Sequence, residues 1–445
     1  MCRARVVAVA VAIALASSMA LAVLCARPPS AHAQAVETVT LAGLIEAGRR
    51  HHPTLARRPL LARSFDVESS KLNRAYWPQL SLDGSATWQS TVTSVDVPVP
   101  GVTIPKPSQD QYKLALELQQ TIWDGGATAD RKRVAEERAR LDKHQVGVEW
   151  REVRERILQL YFTGLVQQKL RSQAQVLDEY LTTVIEKAQL ALDQGVATER
   201  DVLLARARQL EARQAAAEAS AHLDGVKRAL AHLTGQDLQD DAVLAPALAS
   251  CVVNDARAVT PDAVKRPELD ALAAQSQLLG AQEALELSPD RPRVGAFATA
   301  GYGRPGLNAL SSEFDFFFIG GLRVTVPLTY LYAGTHGKSH EQLAIQRALV
   351  DRKRDALMTR INVELETQRA DLERLDATIE LDSELLGVRE KARKQTETQL
   401  ALGTATMTDL INDLTLEDQA RTRLAVHHTQ RDHVCHEVAL TTGNP

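Results

Sequence analysis

Two stretches of the chain alternate apolar and polar residues in the manner of half-buried β-strands. In the run YKLALELQQTIW, which begins at Tyr112, apolar residues occupy every second position as far as Leu118, and most residues between them are polar. A second run, over residues 314–326, keeps six large apolar residues on one parity. Alternation of this kind gives a strand one apolar and one polar face. We expect strands at residues 80–90 and 294–303 to pair with these two runs.

Other stretches are long enough for helices that exceed the usual size in globular proteins. Residues 127–192 contain no proline and only two glycines, which allows a single helix of about 65 residues and about 100 Å. A second helix would return over residues 198–233 after a turn at Gly195. The second half of the chain has the same order, and its turn falls at Gly403.

Apolar residues recur along these predicted helices at the spacing of coiled coils. The seams are Leu177, Leu181, Val184 and Ala188 in the first half, and Ile361, Leu365, Leu372, Leu375, Ile379 and Leu386 in the second. Such intervals place side chains on one face that packs against a neighbouring helix. Gln368 and Asp382 interrupt the second seam, and alanine is abundant, so we expect close packing by small residues.

The chain is a tandem repeat. The segment LDQGVATERDVL at residues 192–203 recurs as LALGTATMTDLI at residues 400–411, a shift of 208. Nearer the start, HPTL at residues 52–55 pairs with RPEL at residues 266–269, a shift of 214. We assign the six-residue difference to the proline-rich segment SVDVPVPGVTIPKPSQD. The predicted division is a signal peptide at 1–33, a first repeat at 34–240 and a second repeat at 241–445.

The N-terminus has the features of a secretory signal. Arg3 and Arg5 precede an apolar run, which ends at Leu24, and Ala31-His32-Ala33 is a triplet of the kind that signal peptidase reads. We expect cleavage after residue 33, with a retained membrane anchor as the alternative. Farther along, no stretch approaches the roughly 18 uninterrupted apolar residues of a membrane helix. The mature chain is therefore predicted to be exported and not to cross a membrane by helices.

Composition narrows the function further. Acidic and basic residues nearly balance, 56 against 52, so charge gives no reason to expect nucleic acid as a partner. Cleavage would leave Cys251 and Cys435, either as one disulfide or as two separate thiols. Cys25 follows Leu24 rather than the small residue that lipidation favours.

Two glycine-rich segments resemble nucleotide-binding motifs without meeting their requirements. YAGTHGKS at residues 332–339 has Tyr332 where a P-loop needs glycine, and the repeat aligns it with Asp124-Gly125-Gly126, at a junction between strand and helix. GYGRPG at residues 301–306 leads into another strand, which indicates a hairpin turn. Because Ser-His-Asp, H-E-x-x-H and Cys-x-x-Cys patterns are also missing from the sequence, we predict no enzyme, no catalytic residue and no cofactor.

One cluster near the C-terminus has the spacing of a metal site. His428, Asp432 and His436 are four residues apart, and Cys435 is adjacent, so a zinc or copper site is one interpretation. The other is a solvated helix face, because the same spacing is common in polar helices. We favour the second interpretation and predict no metal.

Several short motifs give the chain a resemblance to the TolC-type outer-membrane factor family. They occur in the same order in the two repeats or at their junctions. They are HHPTL and KRPEL at the repeat openings, PQLSL before a strand, WDGG between strand and helix, and G-x-x-[ST]-x-x-D-[VL] at the helix turns. The resemblance covers essentially the whole mature chain. It implies an α+β membrane protein whose protomer carries long coiled-coil hairpins and four strands.

The family further implies a homotrimer that forms a twelve-stranded outer-membrane β-barrel continued by a periplasmic α-barrel. Such a trimer is the exit duct of a tripartite efflux or type I secretion system, and it docks to a periplasmic adaptor (a membrane fusion protein) and an inner-membrane efflux pump or ABC exporter. The expected location is the cell outer membrane, extending into the periplasm. The alternative is a periplasmic coiled-coil adaptor or scaffold without a pore.

At the helix turns, Asp201 and Asp409 are candidates for the pore mouth, since rings of carboxylates favour cations. The alternative is that they cap helices, because Thr198 and Thr406 precede them by three residues in the pattern of a capping box. Asp413 follows Asp409 by four residues and would share its helix face.

The resemblance also marks a departure from the family at the mouth. Leu400 and Ala405 stand where the Tyr and Arg of some relatives hold the mouth closed, so no lock of that kind is expected here.

Overall fold

The computed structural model describes residues 38–93, 106–247, 264–308, 310–328 and 335–443. The predicted signal peptide, Cys25, Cys251 and most of the proline-rich segment lie outside these ranges. The first half contains β1 (Thr38–Val39), α1 (Leu41–His51), α2 (Pro53–Asn73), β2 (Gln79–Trp88), β3 (Asp110–Trp123), α3 (Ala127–Asp193), α4 (Glu199–Thr234) and β4 (Val243–Leu244). The second contains α5 (Pro267–Glu286), β5 (Arg293–Arg304), β6 (Asp315–Thr325), α6 (Thr335–Ala401) and α7 (Met407–Thr442).

The long helices form two antiparallel hairpins of equal size. Helices α3 and α6 each have 67 residues, and helices α4 and α7 each have 36. At 1.5 Å per residue the longer helix of each pair spans about 100 Å. The predicted helix bounds are therefore confirmed to within about one residue. Within the described residues, none of the helices combines the length and the apolar character needed to span a membrane.

The four predicted strands form one antiparallel sheet in the order β2-β3-β5-β6. Leu82 pairs with Leu116, Leu116 with Ala300, and Ala300 with Phe318, so one residue from each strand lies in a continuous row. The two repeats thus contribute one hairpin each to the same sheet. A second, two-stranded parallel sheet joins β1 to β4, and the sequence pattern did not predict it.

The largest buried cluster lies where α1, the middle of α3 and the end of α4 meet this small sheet. Leu44, Ile157, Leu230 and Leu244 are fully buried there. The hydroxyl of Tyr161 donates to the carbonyl oxygens of Val39 and Ala245, at 3.1 and 2.5 Å, and burial raises its pKa to about 12. The phenol therefore stays protonated and holds the segments at both ends of the first repeat against α3.

Both coiled-coil seams pack as predicted. Leu181, Val184 and Ala188 are buried in the first, and the polar interruptions of the second are buried and paired. Gln368 donates to Thr441 Oγ1 at 3.0 Å, and Asp382 lies 2.5 Å from His427 Nδ1. Because buried polar groups need partners, these pairs fix the register of α6 against α7.

Candidate functional site

One face of the four-stranded sheet is apolar on every strand and fully accessible in the protomer. The exposed fraction is 86% for Phe316, 72% for Leu322 and 68% for Leu82. The register aligns these side chains with those of Leu116 and Tyr302 on the two central strands. A monomeric protein that is soluble in water seldom exposes so large a continuous apolar surface. The face is therefore suited to contact lipid.

The opposite face is mainly polar. Ser81, Asp83 and Glu117 lie on it, as do Lys113 and Arg323. The two aromatic rings on this face lie under cations. Lys113 Nζ is 5.3 Å from the centroid of the Phe317 ring, and Arg323 Cζ is 5.0 Å from that of Phe297. This face is suited to contact water.

Tryptophans mark both ends of the apolar face. Trp77 and Trp123 lie at the end where the sheet meets the long helices, and they are 64% and 48% exposed. Trp88 lies at the other end and is 68% exposed. Aromatic residues at the two edges of an apolar band are typical of strands that cross an outer membrane, where they occupy the interfaces between lipid and water.

The sheet has two open edges, because β2 and β6 each pair on one side only within the described part of the chain. Unpaired backbone groups cost several kcal/mol each in hydrocarbon, so an open sheet is not stable there. The apolar face and the open edges together imply that the sheet needs further strands at both edges to be stable in lipid.

The WDGG motif has a structural role at the junction between β3 and α3. Asp124 accepts hydrogen bonds from the backbone N–H groups of Gly126 and Thr128 at 3.0 and 2.7 Å. Gly125 has φ +70°, and a Cβ there would lie 2.6 Å from that of Arg291. Arg291 in turn donates to the Gly125 carbonyl at 3.1 Å. The glycine thus allows the two repeats to approach closely.

The glycine-rich segment at residues 301–306 belongs to a hairpin, as its context predicted. Residues 301–304 belong to β5, and β6 follows as its hairpin partner. Lys338 and Ser339 lie in the first turns of α6, while residues 332–334 are outside the described ranges.

The turns at the end of the helical hairpins away from the four-stranded sheet contain the predicted glycines and acids. Gly195 and Gly403 both have φ +74°, in the left-handed region that glycine adopts without strain. Asp201 Oδ2 accepts from the N–H and hydroxyl of Thr198 at 3.0 and 2.7 Å. Asp409 Oδ2 accepts from the same groups of Thr406 at 2.9 and 2.6 Å. Both acids therefore cap helices.

Capping leaves the charge of both acids in place. The hydrogen bonds from Thr198 lower the pKa of Asp201, and burial opposes this only in part. The hydrogen bonds from Thr406 likewise lower the pKa of Asp409, which is exposed. A carboxylate can cap a helix and still present negative charge to solvent, so the capping role does not remove these acids as candidates for a pore mouth.

The two turns lie side by side around a cavity of about 980 Å³. Its lining includes Thr198, Asp201, Gly403 and Thr406, but neither Asp409 nor Asp413. The second oxygen of Asp201 accepts from Thr408 Oγ1 of the other hairpin at 2.9 Å. Asp413 accepts from Thr396 Oγ1 at 2.6 Å, within its own hairpin. The structure thus brings Asp201 between the hairpins and leaves Asp409 on the outside of the turn.

An ion-pair network above these turns was missed by sequence reasoning. Arg393 of α6 donates to Glu417 of α7 at 2.5 Å and to the hydroxyl of Tyr180 on α3 at 3.3 Å. The Tyr180 hydroxyl also donates to Glu397, and burial raises its pKa to about 12. Leu400 and Ala405 line the cavity without charge, as expected. The four-residue spacing of Arg393 and Glu397, which places both on one helix face, was the sequence signal that could have predicted an ion pair here.

The histidine cluster near the C-terminus does not assemble as a metal site in the described residues, where no group of three candidate ligands occurs. His428 is exposed, whereas His436 is half-buried with its ring 5.5 Å from that of Phe162. Burial lowers the pKa of His436, and Cys435 is buried. The favoured interpretation of a solvated face is therefore wrong for this part of the helix, which packs against α3.

Comparisons with known proteins agree with this geometry. Residues 68–236 match the family model of the outer membrane efflux proteins. No curated protein matches the chain in sequence. Among solved structures, the outer membrane protein VceC of Vibrio cholerae is 16% identical, with 91% of this chain and 96% of that chain covered and a TM-score of 0.66.

Two other solved structures, both of outer membrane channels, resemble this chain with nearly the same TM-score. The CmeC channel of Campylobacter jejuni is 11% identical, over 91% of this chain and 85% of that chain, with a TM-score of 0.65. The open state of the MtrE channel of Neisseria gonorrhoeae is 15% identical, over 91% and 89%, with a TM-score of 0.64. The match over residues 68–236 agrees with the predicted resemblance to the TolC-type outer-membrane factors, and the likeness to the solved structures confirms the predicted protomer fold.

Proposed function

We propose that the chain forms a homotrimeric exit duct, in which three sheets close a twelve-stranded barrel in the outer membrane and the helical hairpins continue it as a tunnel into the periplasm. The observation that carries this proposal is the sheet, with one apolar face and two open edges. Closing the barrel pairs every edge group, which is the condition for a sheet to exist in hydrocarbon. Four strands per chain are sufficient for a closed barrel of this size when three chains combine.

The duct is passive and is coupled to partners that supply energy and selectivity. We assign it to a tripartite efflux or type I secretion system, with a periplasmic adaptor at the helix turns and an inner-membrane pump or ABC exporter behind it. The two repeats, 34–240 and 241–445, are proposed as its units after removal of residues 1–33. Their equal helix lengths support this division.

The adaptor or scaffold alternative fits the protomer less well. An adaptor would carry a soluble domain at the ends of one helical hairpin. Here two hairpins of equal size follow two strand pairs, and the strands share one sheet with an exposed apolar face.

A single experiment separates the duct from the alternative. The purified mature protein, in a mild detergent, is expected to be a trimer by light scattering and to produce stepwise conductance in planar bilayers. A water-soluble monomer that leaves bilayers without conductance would exclude the duct and favour a scaffold.

For the pore mouth we propose Asp201, Asp409 and Asp413, each present three times around the helix turns. Replacing Asp409 by Asn is expected to lower cation-over-anion permeability by about threefold, because a ring of three charges is lost. The measurement is the reversal potential in a KCl gradient. Since the pKa of Asp409 lies below its ordinary value of about 4, the selectivity of the unchanged protein should persist at pH 5.

The variant Asp409→Ala serves as the comparison for the capping role. Asn keeps an oxygen that can accept from Thr406, whereas Ala does not. If the acid acts in the pore, both variants lose selectivity equally. If it acts only as a cap, selectivity is unchanged in both and thermal stability falls in Asp409→Ala alone.

A further inference from the structure

The polar face of the sheet ends in a cavity where the strands meet the long helices. The cavity has a volume of about 450 Å³ and lies between the lower ends of the strands and the start of α3. Three arginines from three elements line it: Arg131 of α3, Arg293 of β5 and Arg323 of β6. Guanidinium groups that converge from different elements create a region of positive potential.

Within the part of the chain that the structure describes, the contacts of these arginines leave their positive charge uncompensated. Arg293 Nη2 donates to the carbonyl oxygen of Pro289 at 3.0 Å, and Arg323 Cζ lies 5.0 Å from the centroid of the Phe297 ring. Arg131 is exposed on the first turns of its helix. A carbonyl and an aromatic ring orient a guanidinium group, but they do not neutralise it.

The one carboxylate among the described residues that line the cavity, that of Asp124, already accepts hydrogen bonds from other groups. Asp124 is 8% exposed. It accepts from the Tyr76 hydroxyl at 2.9 Å and from the N–H groups of Gly126 and Thr128. These bonds outweigh the effect of its burial and lower its pKa. Asp124 therefore caps α3, and its oxygens are turned toward the helix start rather than toward the arginines.

The arginines lie on the side of the sheet that the proposed duct turns inward. Arg293 pairs with Thr325, and Arg323 with Gly295, in the register that also places Lys113 on the polar face. In the trimer this face lines the lumen, and three copies place nine guanidinium groups at one level.

We propose that Arg131, Arg293 and Arg323 form a ring that attracts anions at the level where barrel and tunnel meet, so that the duct favours solutes with a carboxylate or phosphate group. This inference rests on the proposed function, since it needs a lumen. Rings of arginine or lysine are the arrangement that selects anions in pores. The guanidinium group also binds carboxylate and phosphate in a bidentate manner.

The arginine ring acts independently of the acids at the helix turns. The two levels are separated by about 100 Å of helix, whereas the field of a charge in physiological salt falls off over about 8 Å. The lumen therefore has two regions of opposite charge, and each can be tested by itself.

The test uses the purified full-length mature trimer in planar bilayers with a KCl gradient. Three unit charges about 8 Å from an ion in water at about 0.1 M salt change its local concentration by roughly threefold. Because cations are affected in the opposite sense, Arg323→Gln is expected to lower anion-over-cation permeability by about tenfold, and the triple variant with Arg131→Gln and Arg293→Gln by more. Inorganic pyrophosphate, added on the periplasmic side, should reduce the conductance of the unchanged protein and have less effect on the triple variant.

Two further variants serve as controls. Arg323→Lys keeps the charge and should retain the selectivity. Arg304→Gln removes the same charge from the outward face, where Arg304 Cζ lies 5.7 and 5.2 Å from the rings of Tyr112 and Phe314, and should leave the reversal potential unchanged.

The outcomes distinguish failure of the ring from failure of the duct. A triple variant that conducts with an unchanged reversal potential overturns the ring and leaves the duct intact. Loss of the trimer with unchanged selectivity in the remaining channels also overturns it, because the arginines then pair with acids of a neighbouring subunit. If the unchanged protein does not conduct at all, the proposed function and the ring fail together.

Discussion

Leu82→Arg is expected to abolish assembly of the protein in the outer membrane. Leu82 lies near the middle of β2 on the apolar face, pairs with Leu116 and is 68% exposed in the protomer. An arginine on the lipid face of an outer-membrane barrel costs about 2–4 kcal/mol near the membrane midplane. The trimer would contain three such residues, so the cost recurs in each subunit. We expect the variant to be exported but absent from the trimer fraction of outer-membrane extracts.

Ser81→Arg is the matched control. Ser81 is the preceding residue of the same strand, is also exposed and points to the polar face. The change introduces the same side chain on the face that the proposed duct turns toward water, so assembly should be nearly normal. If both variants assembled equally well, the apolar face would not be in contact with lipid, and the proposed orientation of the sheet would be wrong.

Arg266→Met is expected to lower the free energy of unfolding by about 3 kcal/mol, because it removes a buried cation from two partly buried acids and leaves only Arg151, 3.5 Å from Glu268, beside them. The Arg266 side chain is 1% exposed. Its guanidinium group lies 2.7 Å from Glu268 and 3.3 Å from Glu364, which are 15% and 33% exposed. Glu364 also accepts from the hydroxyl of Thr441 at 3.1 Å. The group therefore ties the start of α5 to α6 and to the end of α7.

The controls for this prediction separate buried from exposed pairing. Arg352→Met removes an ion pair to Asp355 whose members are 81% and 63% exposed, and it should change stability by less than about 1 kcal/mol. Adding Glu268→Gln and Glu364→Gln to Arg266→Met should restore most of the lost free energy of unfolding, since the uncompensated charges are removed. Urea unfolding of the detergent-solubilised protein gives all four values. A loss in Arg266→Met no larger than in Arg352→Met would contradict the argument.

The pH dependence of the same variant provides a second measurement. Burial opposes ionisation of Glu268, but the hydrogen bond from Arg266 outweighs it, so the pKa of Glu268 is lowered in the fold. This pairing contributes stability above the unfolded pKa of about 4.3 and loses it as pH falls through the folded pKa. In Arg266→Met the effect of burial is opposed only by a backbone hydrogen bond and by the charge of Arg151, so the pKa of Glu268 is lowered less. The stability difference between the two proteins should therefore narrow as pH falls below about 5.

Local patterns were sufficient for the elements of the fold because the signals are strong and repeated. The alternation that begins at Tyr112 identified β3, and that of residues 314–326 identified β6. Gly195 and Gly403 marked the helix turns because a left-handed residue ends a helix most easily as glycine. The uninterrupted run from Ala127 gave the length of α3.

Other features depend on partners that are distant in the sequence. Tyr180 and Arg393, for example, are brought together by packing between the two hairpins. The pairing of β1 with β4 joins residues that are about 200 positions apart and have two-residue strands, too short for any alternation to be visible. The half-buried state of His436 likewise depends on Phe162 of another helix.

The sequence by itself determined the repeat, the strands, the long helices and the resemblance to outer-membrane channels, because each follows from periodicity or from short motifs along the chain. Only the tertiary structure decided which acid at the turns lies between the hairpins, that Arg266 is buried with two glutamates, and that Arg131, Arg293 and Arg323 share one cavity. These depend on how the helices and the sheet are oriented toward one another. The geometry of packing, rather than local preference, sets that orientation.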